Sequence, residues 1–318
     1  MILLRKMHWM LVLAFIVSSA ATTRPAWSAE DEAAESGNPL PMTFGIEYTL
    51  VTDYVWRGIN RSEYRGEGRE KINHQFDLGA KTRFEDLGLP DIGALKVGAW
   101  FEFYVGNESQ NPGPPPAGTF DADNKLQEAR YMIAWMHEIP DTPVTVEAGW
   151  IAYNFPHASG DAHLTFEIYG KVAVNDGFLF DQDEPILSPT LAYYYDYDLV
   201  EAGMLVGTIE HEFALDELVE GTPVIRDITL TPDAALYFDN RYLDKSAVGR
   251  AARRSGKSSS FSSVDVGLTA AYDVGKAMDM PEEYGTLTFS VFANYSWGFR
   301  RQLLADEFYG GFKVGWKW

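Results

Sequence analysis

Charged side chains recur at alternate positions along this chain, with apolar residues between them. The acids are Glu47, Asp53, Asp77, Glu102, Glu147, Glu167 and Asp265, and the bases are Arg57, Lys81, Arg83, Lys96, Lys171, Lys313 and Lys317. Strand side chains point to opposite faces in turn, so each of these charges shares a face with small or polar neighbours. Charges of both signs facing the inside of a closed sheet hold water, set a transverse field and bias which ions pass. The same side chains, packed together, would be a ladder of ion pairs filling a closed barrel. The chain carries 46 Asp and Glu against 26 Lys and Arg, a net charge of −20, which favours cations in any pore it lines and argues against nucleic acid as a partner.

Two other groupings bear on chemistry. His157-Ala158-Ser159 places a base beside a hydroxyl, the beginning of a nucleophilic pair, without an identifiable third group to orient it. His157, Asp161 and His163 offer two imidazoles and a carboxylate in a Gly-containing loop, which reads as a hydrated loop surface rather than a metal site. The chain has no Cys, which excludes disulfides, a thiol nucleophile and Cys-ligated metals. No catalytic residue, metal site or cofactor is expected.

The charged face must be carried by strands. Twelve are predicted, over 43–57, 74–85, 95–105, 127–138, 144–153, 164–174, 190–197, 202–215, 224–239, 264–273, 287–297 and 308–318. Most run to about 10–14 residues, the length of a tilted membrane-crossing strand rather than the 5–6 usual in soluble sheets. In the first, Phe44, Ile46, Tyr48, Leu50, Thr52, Tyr54 and Trp56 share the apolar face. In the last, Phe308, Gly310, Phe312, Val314, Trp316 and Trp318 do so, with Lys313 and Lys317 on the polar side. Phe312, Trp316 and Trp318 read as a signal for the barrel-assembly machinery. The first and last strands are expected to pair, bringing the two lysines to the same lumenal wall as Glu47 and Asp53. Pro232 demands an edge or bulge inside strand nine. The short connections 86–93 and 139–143 fall at one end, and the long 58–71, 106–125 and 240–262 at the other; 175–188 is long for its end. Aromatic content of 14% suits interfacial girdles. The fold expected is an all-β transmembrane antiparallel barrel, up-and-down, with short periplasmic turns and longer extracellular loops. The alternative is a soluble two-sheet sandwich.

Residues 1–29 read as a signal peptide: Arg5 and Lys6, an apolar core at Met10–Val17, then small residues. Residues 30–41 are an acidic lead-in, and 42–318 the barrel. No stretch approaches the length of a membrane-spanning helix. Export without helical spans leaves the periplasm, the exterior or a β-barrel in an outer membrane; with the strand pattern above, the outer membrane of a Gram-negative-type bacterium is expected.

Thr52-Asp-Tyr-Val-Trp-Arg-Gly-Ile59 resembles the signature of the TorF-type porins, the Gcw_chp family of bacterial outer-membrane proteins. Gly149-Trp-Ile-Ala-Tyr-Asn-Phe-Pro156, Phe166-Glu-Ile-Tyr169 and Tyr193-Tyr-Tyr-Asp-Tyr-Asp198 are similar to later parts of that family. The resemblance implies a barrel and a channel, and supplies no catalytic residue or substrate. The function expected is passive diffusion of small polar solutes or ions by a monomer or small oligomer, the monomer favoured, with lipid and assembly machinery as partners. The alternatives are a non-conducting scaffold barrel and, third, a barrel lipase or esterase.

Overall fold

The computed structural model describes residues 41–61, 72–104, 126–156, 163–215, 227–245, 259–300 and 304–318. Twelve strands form the wall: β1 Thr43–Val51, β2 Asn73–Arg83, β3 Ala94–Tyr104, β4 Leu126–Glu138, β5 Val144–Asn154 and β6 Leu164–Val174. They continue as β7 Thr190–Asp196, β8 Ala202–Glu210, β9 Ile228–Asn240, β10 Ser260–Asp273, β11 Thr286–Gly298 and β12 Glu307–Lys317. Each pairs antiparallel with its sequence neighbours, and β12 pairs with β1, so the sheet is a closed barrel without edges. Closure is what lets strands cross lipid, because every ladder N–H and C=O then finds a partner in the wall.

The alternation read from the sequence sets the two faces. On β3, Lys96, Trp100 and Glu102 are buried while Val97 between them is exposed. On β2, Gln75 and Asp77 are buried while Phe76 and Leu78 are exposed. Ile133, Trp135, Ile168, Val172, Leu268, Val291 and Val314 continue the exposed apolar belt around the outside. Such a belt is intolerable in water and required in lipid. The structure is therefore a transmembrane β-barrel of the outer-membrane kind. Among the described residues, no helix is long and apolar enough to cross a membrane.

The first-to-last pairing stands as expected. Phe44 N donates to Trp318 O at 2.6 Å, Trp318 N returns a bond to Phe44 O at 2.9 Å, and Lys313 Nζ lies 3.3 Å from Glu47 Oε1. Gly311 is what permits close approach here, since a Cβ would come within 1.9 Å of Leu50 O.

Three expectations need correction. The first strand leaves the wall at Val51 instead of continuing to Arg57, and Tyr54 and Trp56, expected on the lipid face, are buried inside the barrel. An inturned segment alternates just as a wall strand does, so periodicity could not separate them. Strand eight stops at Glu210 and resumes only at Phe213–Ala214. The interruption faces Pro232, whose ring nitrogen has no hydrogen to donate, and His211 N bonds the Pro232 carbonyl at 3.1 Å. The irregularity expected of β9 is thus absorbed by its partner. Finally, connection length does not separate the two ends. The end that carries both termini also carries the long connections 175–189 and 274–285, while 197–201 at the opposite end is short.

Candidate functional site

After Val51 the chain turns into the lumen. Val55–Trp56 pairs with Ile59–Asn60 in a small hairpin. Its two central residues, Arg57 and Gly58, have φ of 53° and 75°, the positive values that a tight mirror-image hairpin turn requires. Gly58 has no alternative, because a Cβ there would meet the Ser263 Oγ at 2.2 Å.

The turn carries Arg57 across the lumen to the wall. Its Nη1 and Nη2 donate to Oε1 and Oε2 of Glu167 on β6 at 2.8 and 2.9 Å. Tyr153 on β5 donates to the same carboxylate at 2.5 Å. The guanidinium lies 4.3 Å from the Trp56 ring centroid and 4.2 Å from that of Tyr194 on β7. Both ions are buried, so the parallel N–H···O fork and the two rings must offset their lost hydration. The hairpin is latched at its tip to the β5–β7 wall.

Around that latch the lumen is packed. Tyr54, Trp56 and Ile59 of the hairpin segment meet Trp100 from β3, Tyr153 from β5, and Met204 and Tyr237 from the opposing β8 and β9. Tyr242 and Leu243 close over them from α1, the helical turn Tyr242–Lys245. Leu243 N donates to Asp239 Oδ1 at 3.0 Å, and Arg300 pairs with Asp239 and, at 2.7 Å, with Asp244. A second cation, Arg130 on β4, stacks 4.2 Å over Trp100 and bonds Glu128 at 2.6 Å. Glu128 points inward in the same alternation as Arg130, and a bulge beside it, where Glu102 faces Glu128 but Phe103 faces Leu126, leaves Gln127 as the extra residue, also buried.

Towards the termini end the lumen opens into a cavity of about 1020 Å³. Arg57, Trp56, Trp100 and Arg130 contribute to its inner lining, and Asp77, Lys96, Glu147 and Lys171 to its walls. Lys96 and Lys171 both reach Glu147 Oε2, at 3.1 and 3.2 Å, while Tyr169 donates to Oε1 at 2.6 Å. Its lining includes the acids Glu138, Asp183, Glu184 and Glu210. The 175–189 connection is shaped by Asp176, whose Oδ1 accepts from Ile186, Leu187 and Ser188 N at 2.9, 3.0 and 3.2 Å.

The sequence-derived charges therefore divide into groups. Arg57, Asp77, Lys96, Glu147 and Lys171 line the cavity. Glu102, Glu167, Asp53 and Asp265 are buried in the packed half, Asp53 receiving Asn60 Nδ2 at 3.3 Å and Asp265 receiving Ser296. Glu47 and Lys313 pair on the seam, where Lys317 faces Gly45. Lys81 stands directly opposite Lys96 on adjacent strands. Arg83 does not reach the lumen: it is exposed and pairs with Glu85 and Asp86 in the following turn. Phe312 stacks with Phe289, and Trp316 with Trp318, on the outer face.

The sequence reading passed over Glu128 and the Arg300–Asp239–Asp244 cluster. Glu128 lies on the same alternate set as Arg130, so period two already places it on the inner face, whereas the Arg300 cluster joins three separate segments that no local pattern links. His157, Ser159 and Asp161 lie outside the described residues; His163 is exposed, and its carbonyl accepts Phe155 N at 2.8 Å. Among the described residues, no three acidic or imidazole side chains are grouped to hold a metal ion.

No known family profile matches the chain. Among curated proteins, potassium transporter 18 of Oryza sativa subsp. japonica is 28% identical over 95 residues, which are 30% of this chain and 12% of that protein. So short a match shows no family. Among solved structures, the barrel is similar to the KdgM porin in complex with disordered oligogalacturonate, at 10% identity and TM-score 0.38, covering 87% of this chain and 98% of that one. It is similar to the NanC porin at 10% identity and TM-score 0.41, covering 86% and 97%. Outer membrane protein OprD from Pseudomonas aeruginosa gives 11% identity and TM-score 0.36, covering 78% and 64%. These neighbours are outer-membrane porin barrels; the fold assignment here rests on the chain's own strand pairing.

Proposed function

We propose that this chain is a porin-like outer-membrane channel for passive diffusion of small polar solutes and ions, closed in this state by its inturned hairpin. The cavity carries the reading: about 1020 Å³ of charged space inside a closed barrel, ending on the latched Arg57. A barrel that served only as an anchor has no need of such a space. With the termini in the periplasm, the cavity faces the periplasm and the packed layer faces outward. Acids in its lining and the net charge of −20 favour cations over anions. On this reading Phe312, Trp316 and Trp318 are read by the assembly machinery, the barrel works as a monomer, and the resemblance to the TorF-type porins names its family.

The packed layer favours one second reading, a non-conducting barrel that binds envelope partners. Conductance in planar bilayers separates the two. The native chain should give rare, small steps, and replacing Val55–Asn60 by a short Gly-Ser link should give frequent larger ones with higher permeability to potassium than to chloride. Silence from both, with the barrel folded, would sink the channel reading.

A further inference from the structure

The termini end of the barrel has an unusual outer rim. Three indoles on the lipid face donate to the protein's own turns instead of facing outward unbound. Trp135 Nε1 bonds Ile92 O at 2.7 Å, Trp316 Nε1 bonds Tyr284 O at 2.7 Å, and Trp318 Nε1 bonds Glu283 O at 2.9 Å. The accepting carbonyls belong to the last residues before β3 and β11, so these ends of the turns lie at the outer rim of the wall. The turns 84–93 and 274–285 are thereby fastened to the outer rim at their ends. Both present large apolar side chains to the surroundings: Leu87, Leu89 and Ile92 in the first, Met278 and Tyr284 in the second, with Met278 73% and Leu89 50% exposed. Between the two turns lie only β11, β12, β1 and β2, the flank that contains the closing seam.

We infer that these two turns form an interfacial foot, seated in the headgroup–acyl boundary of the leaflet nearest the termini. The inference rests on the transmembrane reading of the wall, with which the foot is continuous: the same strands that carry Trp135 and Trp316 carry the exposed apolar belt. Burying exposed Leu, Ile and Met side chains is favourable in that layer, and interfacial aromatics suit it. The chemistry of the leaflet follows from charge. The two turns and the strand end carry Glu85, Asp86, Asp91, Asp279, Glu282 and Glu283 against Arg83 and Lys276. An acidic foot gains nothing from anionic lipid, so zwitterionic headgroups are its partner and added salt leaves its depth unchanged.

The chain's lack of Cys makes the test direct. Single variants Leu89→Cys, Met278→Cys, Val291→Cys and Asp141→Cys are labelled with a nitroxide in phosphatidylethanolamine–phosphatidylcholine vesicles. Collision with oxygen is compared with collision with a water-soluble nickel chelate. Val291, on the lipid face of β11, must favour oxygen, and Asp141, in the exposed turn between β4 and β5, must favour nickel. The foot requires labels at 89 and 278 to side with 291, at a shallower depth. If 291 favours oxygen while 89 and 278 both favour nickel, the foot is overturned and the wall stands. If 291 favours nickel, both fall. Spin–spin broadening between copies at 89 or 278 would assign the patch to a second copy and overturn the lipid. Two positions in separate turns keep the readout if one variant does not fold.

Discussion

Arg57 and Glu167 are 110 residues apart in sequence and meet in a buried fork. Arg57→Met keeps a long side chain between Trp56 and Tyr194 but leaves Glu167 a buried, unpaired charge. It should cost about 3–5 kcal/mol in denaturant unfolding from vesicles, and Glu167→Leu in the same chain should recover most of it. Arg57→Lys should recover little, because an ammonium cannot make the two parallel bonds. At the rim, the hydrogen bond from Arg83 holds the Asp86 carboxyl below the usual carboxylate range. A depressed folded pKa contributes stability above the ordinary value near pH 4 and loses it as pH falls through the lowered one. Acid should therefore loosen the 84–93 turn, seen as amide shifts of Leu87 and Gly88, while Asp86→Asn removes the pH dependence. The pair is exposed, so global stability should hardly move. The sequence shows which residues are charged and, through period two, which face they take. It does not show which charges share a layer, because that depends on stagger between strands.

At the scale of elements, the wall was legible and the hairpin was not. Eleven residues of β6 or thirteen of β11 alternate without interruption, and lipid on one side leaves only one register that buries no charge in hydrocarbon. Asp53 to Trp56 alternates equally well, but here polar lumen and packed interior surround both faces, so the pattern carries no direction. Local chemistry holds a partial clue: Gly58 marks the end of the strand in the sequence, but a glycine there fits the start of a long loop as well as the tight Arg57-Gly58 turn. The 175–189 connection is the other element with a single keystone. Asp176→Ala removes a carboxylate that three backbone N–H groups share and should cost about 2 kcal/mol or more. The effect should be confined to that connection, read as faster amide exchange at Ile186, Leu187 and Ser188 with the strands protected as before.

For the whole molecule, ring closure through β1–β12 and β8–β9 makes unfolding a breach of the wall. The mature chain, unboiled in detergent, should migrate faster on gels than the boiled chain, and a single mobility under both conditions would contradict a closed barrel. The wall is also uneven. β7 has seven residues and β10 has fourteen, about 23 Å against about 46 Å of strand before tilt. The short strand lies across the ring from the β12–β1 seam. A bilayer surrounding such a wall meets a low side and a high side. It must thin beside β7 or the barrel must lean, and lipids with shorter or more disordered chains will gather on the low side.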